Sequence, residues 1–94
     1  MARRSDPPGM KRLLEQAVAL HRKGMLDGAR KLYREVVAGQ PDHADAHELL
    51  GTAAAELGDM AEAIRAFAAA AELNPKSLNA AFNLAMAQKQ AGSI

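Results

Sequence analysis

The sequence predicts an all-α fold of five helices, built from repeated helical hairpins. Two observations carry this: residues recur at a spacing of 34, and glycine and proline fall between the recurring blocks where helices must stop. Gly24 answers to Gly58, Leu26 to Met60, Ala29 to Ala63, Tyr33 to Phe67 and Pro41 to Pro75; one step further, Gly58 meets Gly92, Leu50 meets Leu84 and Met60 meets Ile94. The chain of 94 residues suffices for one small domain. It divides into an N-terminal tail (1–9, loosely ordered or disordered), a repeat over 10–43, a repeat over 44–77 and a half repeat over 78–94.

The elements follow in order. Asp6 before Pro7 reads as a helix N-cap, with a disordered tail as the other reading. The first helix runs from Met10 towards Gly24, a residue that takes the left-handed conformation closing a helix without a Cβ penalty. Leu26, Ala29, Leu32, Tyr33, Val36 and Val37 then draw one apolar stripe down a second helix, ended by Pro41. Ala44 to Leu57 is rich in good helix formers and stops at Gly58-Asp59. Met60 to Leu73 carries the matching stripe, with Phe67 as the large knob and Gly51, Ala63 and Ala70 as small residues that let paired helices approach closely. Asn74-Pro75 ends it, and the fifth helix follows. The third unit stops at Ile94, just where its second helix would begin. A terminal cap is one reading, suggested by Gln88 and Lys89; a fragment of a longer array is the other, favoured by the recurrence of Gly92 and Ile94.

Composition limits function. With no cysteine there is no disulfide framework, thiol nucleophile or cysteine-ligated zinc. The net charge of +1 singles out neither nucleic acid nor membrane. No run approaches the length of a membrane span, and Lys11 and Arg12 follow where a signal peptide needs an apolar core, so a cytoplasmic location is expected. Charge is uneven: residues 1–40 hold nine Lys/Arg against four Asp/Glu, and residues 41–94 hold three against seven. Two solvated faces are the plain reading of that asymmetry; head-to-tail stacking or an acidic ligand near the N-terminal end is the sharper one. Asp27 with Lys31 and Lys31 with Glu35 are expected as helical surface pairs.

Catalytic chemistry is not expected. The hydroxyls Ser5, Thr52, Ser77, Ser93 and Tyr33 stand in no nucleophile elbow and near no histidine in the predicted arrangement. There is no glycine-rich phosphate loop, and pairs such as Glu48 with Glu56 lack an enclosing apolar pocket. His43 and His47 are four apart, with Asp42 and Asp45 nearby, but His47 is expected to point into the helix packing, so no metal site and no cofactor are expected.

The second unit resembles a tetratricopeptide repeat almost throughout: Leu50-Gly51, Gly58-Asp59, Glu62-Ala63-Ile64, Phe67, Ala70 and Asn74-Pro75 fall where that family's signature falls. The first unit matches through Gly24, Ala29, Tyr33 and Pro41. His47 stands where tryptophan is frequent, Gln16-Ala17 replaces the Leu-Gly pair, and Ala54 replaces a common tyrosine. The resemblance implies a right-handed superhelix whose first helices line a concave groove for peptides or partner helices.

On this chain the groove would be lined by Lys11, Leu14, Val18, His21 and Arg22 from the first unit. Asp45, Glu48, Leu49, Thr52 and Glu56 would follow from the second, and Asn79, Phe82, Asn83, Met86 and Lys89 from the last helix. The apolar Leu14, Val18, Phe82 and Met86 beside charged groups favour a real site over idle surface. The family's clamp for chaperone C-terminal carboxylates is absent: it needs Lys and Asn on the first unit, Asn on the second and Lys and Arg on the third, and those places hold Leu14, Val18, Leu49, Asn79 and Asn83, none of them cationic. Asn83 stands where glycosyltransferase-associated members keep a peptide-binding asparagine, but Glu15 and Leu49 at the matching places leave no ladder.

The resemblance thus implies a non-catalytic scaffold with a protein or peptide partner, while the charge balance, the lack of aromatics among the basic residues and the lack of an apolar span lead to the expectation of no nucleic acid and no membrane. Two further expectations stand beside it. Bacterial proteins with similar runs (Ala19-Leu20-His21, Leu32-Tyr33-Arg34, Pro41-Asp42-His43) carry glycosyltransferase, sulfotransferase or methyltransferase domains, making this a substrate-recruiting segment. Alternatively the C-terminal helix, with Leu84, Ala85 and Ala91 uncovered, mediates self-association.

Overall fold

A computed structural model describes residues 8–92, which form five α-helices and no strand: α1 (Pro8–Arg22), α2 (Leu26–Gly39), α3 (Ala44–Glu56), α4 (Met60–Leu73) and α5 (Leu78–Gly92). α1 starts at Pro8, two residues ahead of the repeat boundary; the Asp6-Pro7 cap and Ile94 lie outside the described residues. Each helix packs on its neighbours in sequence, giving a slab of 50 × 30 × 17 Å.

The punctuation recurs as geometry. Gly24 and Gly58 have φ of 81° and 86°. Each sits in a Schellman close: Gly24 N–H donates to the His21 carbonyl and Met25 N–H to Leu20, while Gly58 donates to Ala55 and Asp59 to Ala54. A side chain at either glycine would be strained in that left-handed backbone. At the other connection, His43 N–H donates to the Gln40 carbonyl and Ser77 N–H to Asn74, closing four-residue turns with Pro41 and Pro75 in second place. The turns lead directly into caps. His43 Nδ1 accepts the Ala46 N–H at 3.1 Å, Ser77 Oγ that of Ala80 at 3.1 Å, and Asp59 Oδ1 that of Glu62 at 3.1 Å.

Small residues do set the helix spacing. Ala17, Ala29, Ala53, Ala54 and Ala63 are fully buried. A Cβ on Gly51 would stand 2.6 Å from the Phe67 ring, so the α4 ring lies directly on the α3 backbone there. Two clusters form the core: Ala17, Ala29, Tyr33, Leu50, Ala53 and Ala66 in the first, and Ala54, Ala63, Phe67 and Ala87 in the second. Leu84 packs against the second cluster, so it is not the bare edge residue expected, whereas Ala81, Ala85 and Ala91 are exposed.

Part of the charge asymmetry is paired inside the molecule. Arg34 of α2 makes two 2.8 Å hydrogen bonds to the Glu62 carboxylate of α4, and Arg30 reaches Asp59 at 3.3 Å and Glu62 at 3.5 Å. The basic N-terminal half thereby grips the acidic C-terminal half across the unit boundary. The Arg34 hydrogen bonds hold the Glu62 carboxyl below the ordinary carboxylate range, against the opposing effect of its burial. Asp27 pairs with Arg30 at 3.7 Å instead of the expected Lys31.

Candidate functional site

α1, α3 and α5 carry the expected groove residues, and the His43 and Ser77 caps fix where α3 and α5 begin. Burial divides the set. Leu14, Val18 and Leu49 are half-buried and pack on the first core cluster, so their apolar surface is largely spent on folding and does not mark a site. Lys11, Arg22, Asp45, Asn79 and Lys89 are exposed; His21, Glu48, Thr52 and Asn83 are half-buried. Of the exposed large apolar residues, Met25 and Leu73 lie apart at helix ends, and Leu78, Phe82 and Met86 of α5 are 84%, 64% and 43% exposed. Their spacing of four puts them in one stripe along that helix.

Where α3 meets α5 a cleft of about 170 Å³ opens. Thr52, Glu56, Asn83 and Met86 of the expected set line it, joined by Ala55, Phe67, Ala87 and Gln90, which sequence reasoning had not placed in the groove. Lys11, Arg22, Asn79, Phe82 and Lys89 stand outside it. Asp45 and Glu48 line a separate crevice of about 30 Å³ with Ser77 and Ala80. A broader polar depression of about 360 Å³ overlies the α2–α3 turn at Gln40, Asp42, His43, Ala44 and Asp45, where His43 is occupied as a cap.

The matching place one unit earlier is filled. His21 Nδ1 lies 2.9 Å from the Tyr33 hydroxyl and its Nε2 lies 2.6 Å from Glu56 Oε1, linking α1, α2 and α3. A carboxylate only accepts, so Nε2 carries the proton, and in the neutral ring Nδ1 accepts the Tyr33 O–H. A hydroxyl therefore does lie beside a histidine, contrary to the sequence reading. The order carboxylate, imidazole, hydroxyl is that of a nucleophile relay, but Tyr33 is fully buried. Burial first, and the Glu56 charge second, push its phenol above the ordinary value of 10.0, which opposes the anion an attack would need. The sequence held a signal for this bridge: His21 replaces Ala55, Tyr33 replaces Phe67 and Glu56 replaces Gln90 at the 34-residue spacing, three changes that meet in space.

The remaining histidine expectation also changes. His47 does not point into the packing; half-buried, it places Nε2 2.8 Å from the Pro41 carbonyl. Among the described residues no three His, Asp or Glu side chains come together as metal ligands. Thr52 Oγ1 donates to the Glu48 carbonyl of its own helix at 3.0 Å. No described helix is long and apolar enough to cross a membrane.

The fold and the repeat spacing are matched by a family model, that of the tetratricopeptide repeat, over residues 14–77. This chain belongs to the tetratricopeptide repeat family. Tetratricopeptide repeats generally mediate protein–protein interaction, and the match covers most of the first unit and all of the second, from Leu14 in α1 to the Ser77 cap of α5. The comparison with curated proteins returns no match.

Proposed function

We propose that this tetratricopeptide domain is a non-catalytic scaffold that holds a peptide or a partner helix in the groove formed by α3 and α5. The observation that carries the reading is the α5 stripe of Leu78, Phe82 and Met86, apolar and exposed, running beside a cleft with amide groups on its rim. An apolar stripe flanked by Asn79 and Asn83 offers buried area together with hydrogen bonds for a main chain. Joined to a catalytic domain, the same groove would recruit that domain's substrate.

Affinity capture with the whole chain, compared with its Phe82→Glu variant, tests the reading. Phe82 is largely exposed, so the variant keeps its melting temperature while the captured set disappears. An unchanged captured set overturns the groove. Leu14 makes a poor control, because it is part of the core packing.

A second reading rests on the bare Ala81, Ala85 and Ala91 of α5, a small-residue face on which another α5 could lie. Sedimentation of a strict monomer at high concentration eliminates it.

A further inference from the structure

We infer that the α3–α5 cleft is a selective pocket that takes one uncharged apolar side chain from a partner segment whose neighbouring residues are cationic, and that His21 confines binding to this one junction. The inference rests on the groove reading above and adds the chemistry of what the groove accepts.

Three observations on the two junctions converge. First, the cleft wall is apolar, with Ala55, Phe67, Met86 and Ala87, and its rim is neutral at Thr52, Asn83 and Gln90. An anionic side chain entering it would be desolvated beside the Glu56 carboxylate, and a cationic one would meet that carboxylate only at the rim, whereas an aliphatic one gains burial against the apolar wall. Second, Glu56 is the one charged residue lining the cleft, and Glu48 lies two turns before it on α3, four residues either side of Thr52. Glu56 lies at the cleft with Met86, and Glu48 lies in the crevice with Ser77 and Ala80 at the start of α5, so α3 offers carboxylates to cations where α5 offers apolar groups. His21 anchors Glu56 at 2.6 Å, holding that carboxylate in place at the rim.

Third, the first junction is closed by its own side chains. His21 stands where the second junction has Ala55, and its ring spans from Tyr33 to Glu56. Val18 and Leu49, the counterparts of Thr52 and Asn83, are packed on the core. With a cleft at one of the two α1–α3 and α3–α5 contacts among the described residues, the partner's register is fixed, since a single apolar side chain must coincide with it.

The test is selection of random peptides on immobilised whole chain, followed by fluorescence anisotropy on the enriched peptides. Two variants are compared with the parent. Ala55→His copies the plug of the first junction into the second, with helicity and melting temperature checked in parallel. Gln90→Lys changes an exposed residue and sets a cation opposite Glu56. The expected consensus is Leu, Ile or Met next to Lys or Arg. Ala55→His weakens binding about tenfold or more, and Gln90→Lys weakens it several-fold, most at low salt. Binding that is lost in Phe82→Glu but indifferent to both variants overturns the pocket and leaves the groove standing. An acidic consensus overturns the charge assignment. If no peptide is enriched, or Phe82→Glu changes nothing, the groove reading fails and takes this inference with it.

Discussion

The contact of α1 with α3 and that of α3 with α5 recur at the 34-residue spacing and differ in chemistry. At the first, His21 ties Tyr33 to Glu56, and Arg30 and Arg34 grip Asp59 and Glu62. At the second, the counterparts of His21, Tyr33, Arg30 and Arg34 are Ala55, Phe67, Ile64 and Ala68, and contact rests on apolar packing with Leu84 and Ala87. The His21 bridge seals one junction; Ala55 at the matching place leaves a cleft in the other. The repeat therefore sets where helices lie, while a few side chains decide whether the space between them is spent on stability or left for a partner.

The largest expected effect breaks the apolar junction. Phe67→Ala removes the knob that fills the space above Gly51 and should cost about 3–5 kcal/mol. In a domain of this size each kcal/mol moves the melting temperature by about 4–8 °C, so a thermal melt falling by less than ten degrees would show that the second cluster contributes little.

A smaller effect is expected at the polar junction. Glu62→Gln keeps the shape but loses the charge that accepts from Arg34, and about 1–2 kcal/mol should go, a figure held down by the half-exposed Arg34. Because the folded state holds Glu62 below its ordinary value of 4.5, its contribution is whole above that pH and is lost as pH falls through the lowered folded value. Urea melts between pH 7 and pH 2 should therefore show the wild type losing more stability on acidification than Glu62→Gln does.

Much of this was legible beforehand, for reasons that differ by residue. Gly24, Gly58, Pro41 and Pro75 act through their own backbone, so sequence alone located the breaks. The closeness of Gly51 and Phe67 followed from size complementarity along stripes of known period. Side chains bridging separate helices were not legible: Arg34 with Glu62 lies 28 residues apart and His21 with Glu56 35 apart, distances at which only packing decides what meets. For the same reason Leu14 and Val18 read as groove from the family resemblance, although both pack on the core. Ala55 was overlooked because alanine carries no chemistry; its importance is that it is not histidine.

The finest contrast between the junctions is one oxygen atom. Tyr33→Phe gives the first unit the aromatic residue of the second and removes the hydroxyl that His21 accepts, so about 0.5–1.5 kcal/mol should be lost at neutral pH. His21 keeps Glu56 and retains some access to water, which holds the cost to that of a hydrogen bond instead of a stranded buried ring. Alkali separates the two proteins further. Folding raises the Tyr33 phenol above 10.0, so its contribution is whole below pH 10 and is lost as pH climbs through the higher folded value, while Tyr33→Phe has no such dependence. Tyr33 is the single tyrosine and there is no tryptophan, so the phenolate absorbance reports this site alone. An absorbance midpoint at the ordinary tyrosine value in the folded protein would mean that the hydroxyl is open to water and that the first junction is no better sealed than the second.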